Sequence, residues 1–162
     1  MMSLLHAAAT ADTLKPYTPS PGTAERTAIL NGLRGEKDWY FIVHELRVIH
    51  AAKGNFAYAN VSLTEDSKPR GDFGGPCPSL LQLKENGRWK LIWGESSGGA
   101  NSYKDGIAYY EAVIQYLRNH DVDPNSLAPS LLKTLRDARR VSNEELNSVG
   151  FGDFKNFNFL VK

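Results

Sequence analysis

The stretch that decides the fold is Ser79-Leu80-Leu81-Gln82-Leu83-Lys84-Glu85-Asn86-Gly87-Arg88-Trp89-Lys90-Leu91-Ile92-Trp93. Two apolar runs, Ser79 to Lys84 and Arg88 to Trp93, flank Glu85-Asn86-Gly87. Asn-Gly between such runs supplies the positive φ angles of a tight turn, so the segment reads as a β-hairpin. Upstream, Trp39 to Ile49 is aromatic and β-branched, with Phe41 and Val43 on one parity and Leu46 and Val48 on the other. A β-bulge near His44-Glu45 returns all four to one face. Asn55 to Leu63 alternates again after Lys53-Gly54, which is read as the turn of a second hairpin.

Ahead of these strands, Pro16, Pro19 and Pro21 hold residues 15–22 extended. Gly22 or Thr23 then caps a helix in which Ala24, Ala28, Ile29, Leu30 and Leu33 recur at three- and four-residue steps. Thr64 to Pro78 forms a loop of about fifteen residues. After the second hairpin, Gly94 to Asn101 is rich in glycine and serine, and Ser102 with Asp105 caps a helix carrying Ile107, Tyr110, Ile114 and Leu117 on one face. Asp121 to Pro129 reads as a turn region. Leu131, Leu132, Leu135 and Ala138 suggest a further helix, Ser142 and Glu145 a short capped one, and Phe157, Phe159 and Val161 a closing strand. The expected class is α+β: an N-terminal helix packed on a four-stranded antiparallel sheet, cystatin- or NTF2-like in shape, with a helical C-terminal extension. Residues 1–15 read as a signal remnant or flexible arm, 16–120 as the α+β domain, and 121–162 as the extension.

Composition limits the function classes. In 162 residues, 19 Lys/Arg against 18 Asp/Glu leave a net charge of +1, which provides no long-range field to gather nucleic acid. The helix carrying Lys133, Arg136, Arg139 and Arg140 has a basic face, but nearby acids balance it and it reads as solvated. The lone Cys77 cannot close an internal disulfide, and no Cys/His spacing matches a zinc site. No carboxylate cluster has the spacing of a calcium or magnesium loop. Neither a metal nor another cofactor is expected. No apolar run approaches the length needed to cross a bilayer, so membrane insertion is not expected. Leu4 to Asp12 resembles the end of a secretory signal, with Ala9-x-Ala11 supplying small residues for cleavage. The expected location is therefore periplasmic or secreted, and cytoplasmic otherwise.

The pattern Pro21-Gly22-Thr23-Ala24-Glu25-Arg26-x-Ala28-Ile29-Leu30-x-x-Leu33-Arg34, then Phe41-x-Val43-x-x-Leu46-x-Val48, then Leu80-Leu81 before Gly87-Arg88-Trp89, resembles a family of small exported bacterial proteins of largely uncharacterised function. The resemblance covers roughly residues 16–93. Its motifs are a helix face, a sheet face and a hairpin turn, so it brings no catalytic residues with it. Family members usually end in a short acidic, aromatic tail after the position of Trp93. This chain continues with helices instead.

The sharpest chemical motif is Gly94-Glu95-Ser96-Ser97-Gly98, a G-x-S-x-G between a strand and a helix, as in the nucleophile elbow of esterases. A compact serine esterase would use Ser96 as nucleophile, His120 as base and Asp105 as acid. Against it, the preceding strand is the second arm of a hairpin, and His120 and Asp105 fall at the ends of one helix. Gly94 to Gly99 also has the glycine spacing of a phosphate loop, but Ala100-Asn101 stands where Lys and Ser/Thr are required. His44 and His50 read as solvated residues without a role. The leading expectation is a non-catalytic exported protein that binds an unidentified protein or cell-envelope component, an inhibitor- or immunity-type protein being one concrete form. Its contact residues would be Trp39, Tyr58 and Trp93 on an open sheet face, with Asp72 in the long loop, although burial in an ordinary core is the competing reading of the aromatics. A small-molecule-binding module with an apolar pocket between helix and sheet is a further alternative.

Overall fold

The structure, a computed structural model, describes residues 15–35, 40–64, 77–94 and 103–140. Its elements in chain order are α1 (Ala24–Arg34), β1 (Tyr40–Ala51), β2 (Gly54–Thr64), β3 (Cys77–Leu83), β4 (Trp89–Gly94), α2 (Tyr103–Asn119), α3 (Pro124–Leu127) and α4 (Pro129–Ala138). The strands form one antiparallel meander in the order β1-β2-β3-β4, and the fold class is α+β.

Both expected hairpins form. Between β3 and β4, the Gly87 amide donates to Lys84 O at 2.9 Å and the Lys84 amide to Arg88 O at 2.9 Å. Gly87 sits at φ 75, where glycine carries no steric penalty. The β1–β2 turn falls one residue earlier than expected, at 52–53, with Ala51 paired to Gly54. The register of β1 against β2 shifts between Val43 and Glu45, the predicted bulge, so Phe41, Val43, Leu46 and Val48 all pack into one cluster. A second shift, unforeseen from sequence, lies opposite Leu80/Leu81: Leu81 faces Leu91 while Leu80 faces Trp93, leaving Ile92 as the extra residue. Trp89 and Trp93 share parity, yet the bulge sends them into different cores.

Each face of the sheet is therefore apolar over much of its area, and each is covered. On one side Ile29 of α1 packs with Leu46, Val48, Ala57, Ala59, Val61, Leu81 and Trp89. Thr23 caps α1, its hydroxyl accepting from the Arg26 amide at 3.3 Å. Helix α1 lies close to β4: a Cβ added at Gly32 would stand 2.5 Å from Trp89 O. On the other side, Ile49, Phe56, Tyr58, Leu80 and Trp93 pack against Tyr110, Val113, Ile114 and Leu117 of α2, together with Val122, Leu127, Leu131 and Leu135.

This second layer corrects the expected division of the chain. Residues 121–138 are not an appendage but part of the helical cover of the sheet. Helix α2 ends in a Schellman motif: the Val122 amide donates to Leu117 O and the Asp121 amide to Arg118 O, each at 3.0 Å, with Asp121 at φ 58. The turn drops Val122 into the core beside Leu117 and directs the chain into α3, whose cap Asp123 accepts from the Asn125 amide at 3.0 Å. Ser126 donates to the same carboxylate, and these bonds hold the Asp123 carboxyl below its ordinary range. Arg47 donates to Ser126 O at 3.0 Å, and Tyr58 Oη meets Ser130 Oγ at 2.8 Å, fastening α3 and α4 to the sheet. The short helix and final strand expected beyond residue 140 lie outside the described residues.

Extended residues 15–20 reach β1 at one point. Tyr17 and Val48 exchange amide–carbonyl bonds of 2.9 and 2.8 Å, and Pro16, Pro19 and Pro21 limit further pairing by removing donors.

Candidate functional site

Of the residues singled out from sequence, Trp39, Asp72 and Ser96 lie outside the described residues. Tyr58 and Trp93 are 0 % and 2 % exposed, so neither is an anchor on an open sheet face. Around Ile49, Phe56, Tyr58, Leu80 and Trp93 that face is closed because α2, α3 and α4 cover it. Trp93 packs edge-on to Tyr110 with ring centroids 6.0 Å apart.

His120 and Asp105 do not form a catalytic pair. They lie at opposite ends of α2, about 22 Å apart at roughly 1.5 Å per residue. Nδ1 of His120, the nitrogen that an orienting acid would hold, lies 2.8 Å from Tyr116 O and donates to it. The imidazole packs on Phe56 and Tyr116, with centroids 5.3 and 4.2 Å away. Gly94, where the serine motif begins, sits at the far end of β4 from the Lys90–Gln82–Phe56 row against which His120 rests.

What the register assembles instead is a polar half on the helix-side face. Paired residues of antiparallel strands share a face. Tyr58 pairs with Arg47, and Asn60 with both Glu45 and Pro78, while Ser62 pairs with Ile42 and Thr64 with Tyr40. Along β1 and β2 this face therefore changes from the apolar Ile49, Phe56 and Tyr58, under the helices, to Arg47, Glu45, Asn60, Ser62 and Tyr40, with Ile42 between them opposite Ser62. Glu45 and Arg47 form an ion pair at 2.9 Å, with side chains 17 % and 40 % exposed. His44, exposed on the bulge, meets Ser62 Oγ through Nε2 at 2.8 Å. Tyr40 is 51 % exposed.

Asn60 stands at the centre of this set. Its Oδ1 is buried and has no hydrogen-bond partner. A buried acceptor left unserved costs about 1–3 kcal/mol.

A second polar cluster ties the N-terminal segment to α1 and β1. Tyr17 Oη donates to the Glu25 carboxylate, 2.8 Å from both oxygens, and lies 2.8 Å from His50 Nε2. The Tyr17 and His50 rings stack with centroids 5.8 Å apart. Burial, with the Glu25 carboxylate beside it, pushes the phenol up to about 12. Tyr17 thus keeps its proton and acts as a clamp from the N-terminal segment to the body of the fold. Sequence reading gave neither His44 nor His50 a partner, because each partner is distant in sequence and arrives by strand register or by the Tyr17 bridge.

Among the described residues, no group of three or more His, Cys, Asp and Glu side chains is placed to hold a metal ion, and no helix is long and apolar enough to cross a membrane. Comparison with protein-family models, curated proteins and solved structures finds no match to this chain.

Proposed function

We propose that this chain is a non-catalytic binding protein that meets a protein or cell-envelope partner through the polar half of its helix-side sheet face. The observation that carries this reading is the half-exposed Tyr40 on the same sheet face as the Glu45–Arg47 and His44–Ser62 pairs, a polar surface next to the apolar part that the helices cover. An inhibitor- or immunity-type role is one form of this activity. The signal-like residues 4–12 and the resemblance over residues 16–93 favour a periplasmic or secreted location.

Two experiments test the reading. A photo-crosslinking amino acid in place of Tyr40 is expected to trap a partner in cells, whereas the same group in place of Lys133, on the outer side of α4, is not. Equal yields from both positions contradict the assignment of this face. Intact mass after fluorophosphonate treatment is expected to show no adduct, and an adduct lost in Ser96→Ala would overturn the non-catalytic reading.

A further inference from the structure

Tyr17, Glu25 and His50 come from the extended N-terminal segment, the first turn of α1 and the end of β1, and their polar tips meet at one point on the surface. We propose that they form a binding site for a divalent transition ion, Zn2+ or Cu2+, which staples the N-terminal segment to the body of the fold. The site is separate from the sheet face assigned to a partner, and neither reading depends on the other.

Geometry is the first argument. Tyr17 Oη lies 2.8 Å from Glu25 Oε1 and 2.8 Å from His50 Nε2, and Nε2 lies 3.5 Å from Oε1. A circle through three atoms so spaced has a radius of about 1.8 Å, shorter than Zn–N and Zn–O bonds of about 2.0–2.2 Å. An ion standing about 1 Å off their plane therefore touches all three at normal bond lengths, leaving their spacing unchanged. The angles at the ion, about 85° to 120°, suit a four- or five-coordinate centre completed by water, which reaches all three partly exposed side chains. Electron pairs are the second argument. Tyr17 Oη also lies 2.8 Å from Glu25 Oε2, so four electronegative atoms converge. The phenol and one ring nitrogen bring at most two hydrogens to them, and the carboxylate adds a negative charge. Among the described residues no Lys or Arg pairs with Glu25, so no fixed cation already serves this excess of lone pairs. Donor chemistry is the third. Imidazole with oxygen donors suits Zn2+ and Cu2+, whereas Ca2+ and Mg2+ take oxygen ligands. Burial and the Glu25 carboxylate keep the phenol protonated in the free protein; a dication on Glu25 offsets the second cause, and phenolate ligation releases that proton to solvent. Sequence spacing hides the set, because Glu25 and His50 stand 8 and 33 residues from Tyr17 and no cysteine pair marks it.

The test is calorimetric titration of the full chain, free of any affinity tag, with ZnCl2, CuCl2, CaCl2 and MgCl2 in turn. One Zn2+ or Cu2+ per chain is expected, with no saturable heat from Ca2+ or Mg2+. Glu25→Gln and His50→Gln are each expected to weaken uptake at least about tenfold, equivalent to about 1.4 kcal/mol. His120→Gln, outside the cluster, is expected to leave uptake unchanged. Circular dichroism spectra matching the parent's keep lost uptake distinct from lost folding. The Cu2+ form is expected to show a visible phenolate-to-metal charge-transfer band that Tyr17→Phe lacks. Bound Zn2+ should also slow hydrogen exchange of the Tyr17 amide, which donates to Val48 O. No saturable uptake of either ion, or uptake that survives both Glu25→Gln and His50→Gln, overturns the proposal. Uptake lost equally in His120→Gln places the ion elsewhere and overturns it too. A Cu2+ spectrum identical in Tyr17→Phe, or Tyr17 exchange unchanged by Zn2+, removes Tyr17 from the ligand set and contradicts the staple.

Discussion

Replacing Gly32 with alanine is expected to destabilise the protein, against the usual direction for a helix. In an exposed helix interior, glycine to alanine gains about 0.5–1 kcal/mol because glycine loses more backbone entropy on folding. Here the added Cβ would stand 2.5 Å from Trp89 O and 3.0 Å from both Trp89 C and Trp89 Cβ, and real Cβ contacts essentially never fall below 3.0 Å. The carbonyl belongs to β4 backbone, which cannot swing aside as a side-chain tip could. Helix α1 must move away by at least about half an ångström, and a gap of that size forfeits roughly a quarter of the dispersion well at each affected contact. Those contacts include Ile29, which is 0 % exposed among Leu46, Val48, Leu81 and Trp89. Overpacking of this kind costs about 1–3 kcal/mol. Set against the helix gain, the net loss is about 1–2 kcal/mol, read in urea unfolding with Asn31→Ala, one position earlier and exposed, as the comparison. Asn31→Ala is expected to stay within about 0.5 kcal/mol of the parent. A Gly32→Ala protein as stable as the parent, or more so, would refute the close approach of α1 to β4.

Trp93→Ala, which empties a core site 2 % exposed, is expected to cost about 3–5 kcal/mol in chemical denaturation. A loss below 1 kcal/mol would return Trp93 to the surface. Asp123→Ala removes the α3 cap and should cost about 1 kcal/mol at neutral pH. Because the Asp123 carboxyl is held below its ordinary value of 3.8, its contribution is present above that pH and fades as pH falls through the lower folded value. Parent and Asp123→Ala curves should accordingly converge in acid, and a constant gap down to the lowest pH would refute the cap. The Tyr17 phenol behaves in the opposite sense. Raised from 10.0 to about 12, its contribution is complete below pH 10 and is lost as pH rises through 12. The stability difference between parent and Tyr17→Phe should shrink over that interval, and a difference independent of pH there would contradict the Tyr17–Glu25 bond.

Local patterns carried most of the sheet. Asn86-Gly87 between two apolar runs announces a hairpin by itself, and the change of apolar parity between Val43 and Leu46 betrays the β1 bulge. The β4 bulge leaves no such trace, since Trp89 and Trp93 have the same parity and only the register against β3 shows that they part. The closed second face was legible in principle. Ile49, Phe56, Tyr58, Leu80 and Trp93 form an apolar surface too large to leave wet, and the α2 stripe of Tyr110, Ile114 and Leu117 is the matching cover. The polar half of that face was not legible. Tyr40, Glu45 and Asn60 look like unrelated strand residues until pairing aligns them.

Crosslinking from position 40 tests the central claim most directly, because Tyr40 is the half-exposed end of the sheet face to which the partner is assigned. A photo-crosslinking residue there should trap a partner in a yield well above that of the same residue in place of Lys133, on the outer side of α4. Equal yields from the two positions would contradict the assignment of this face.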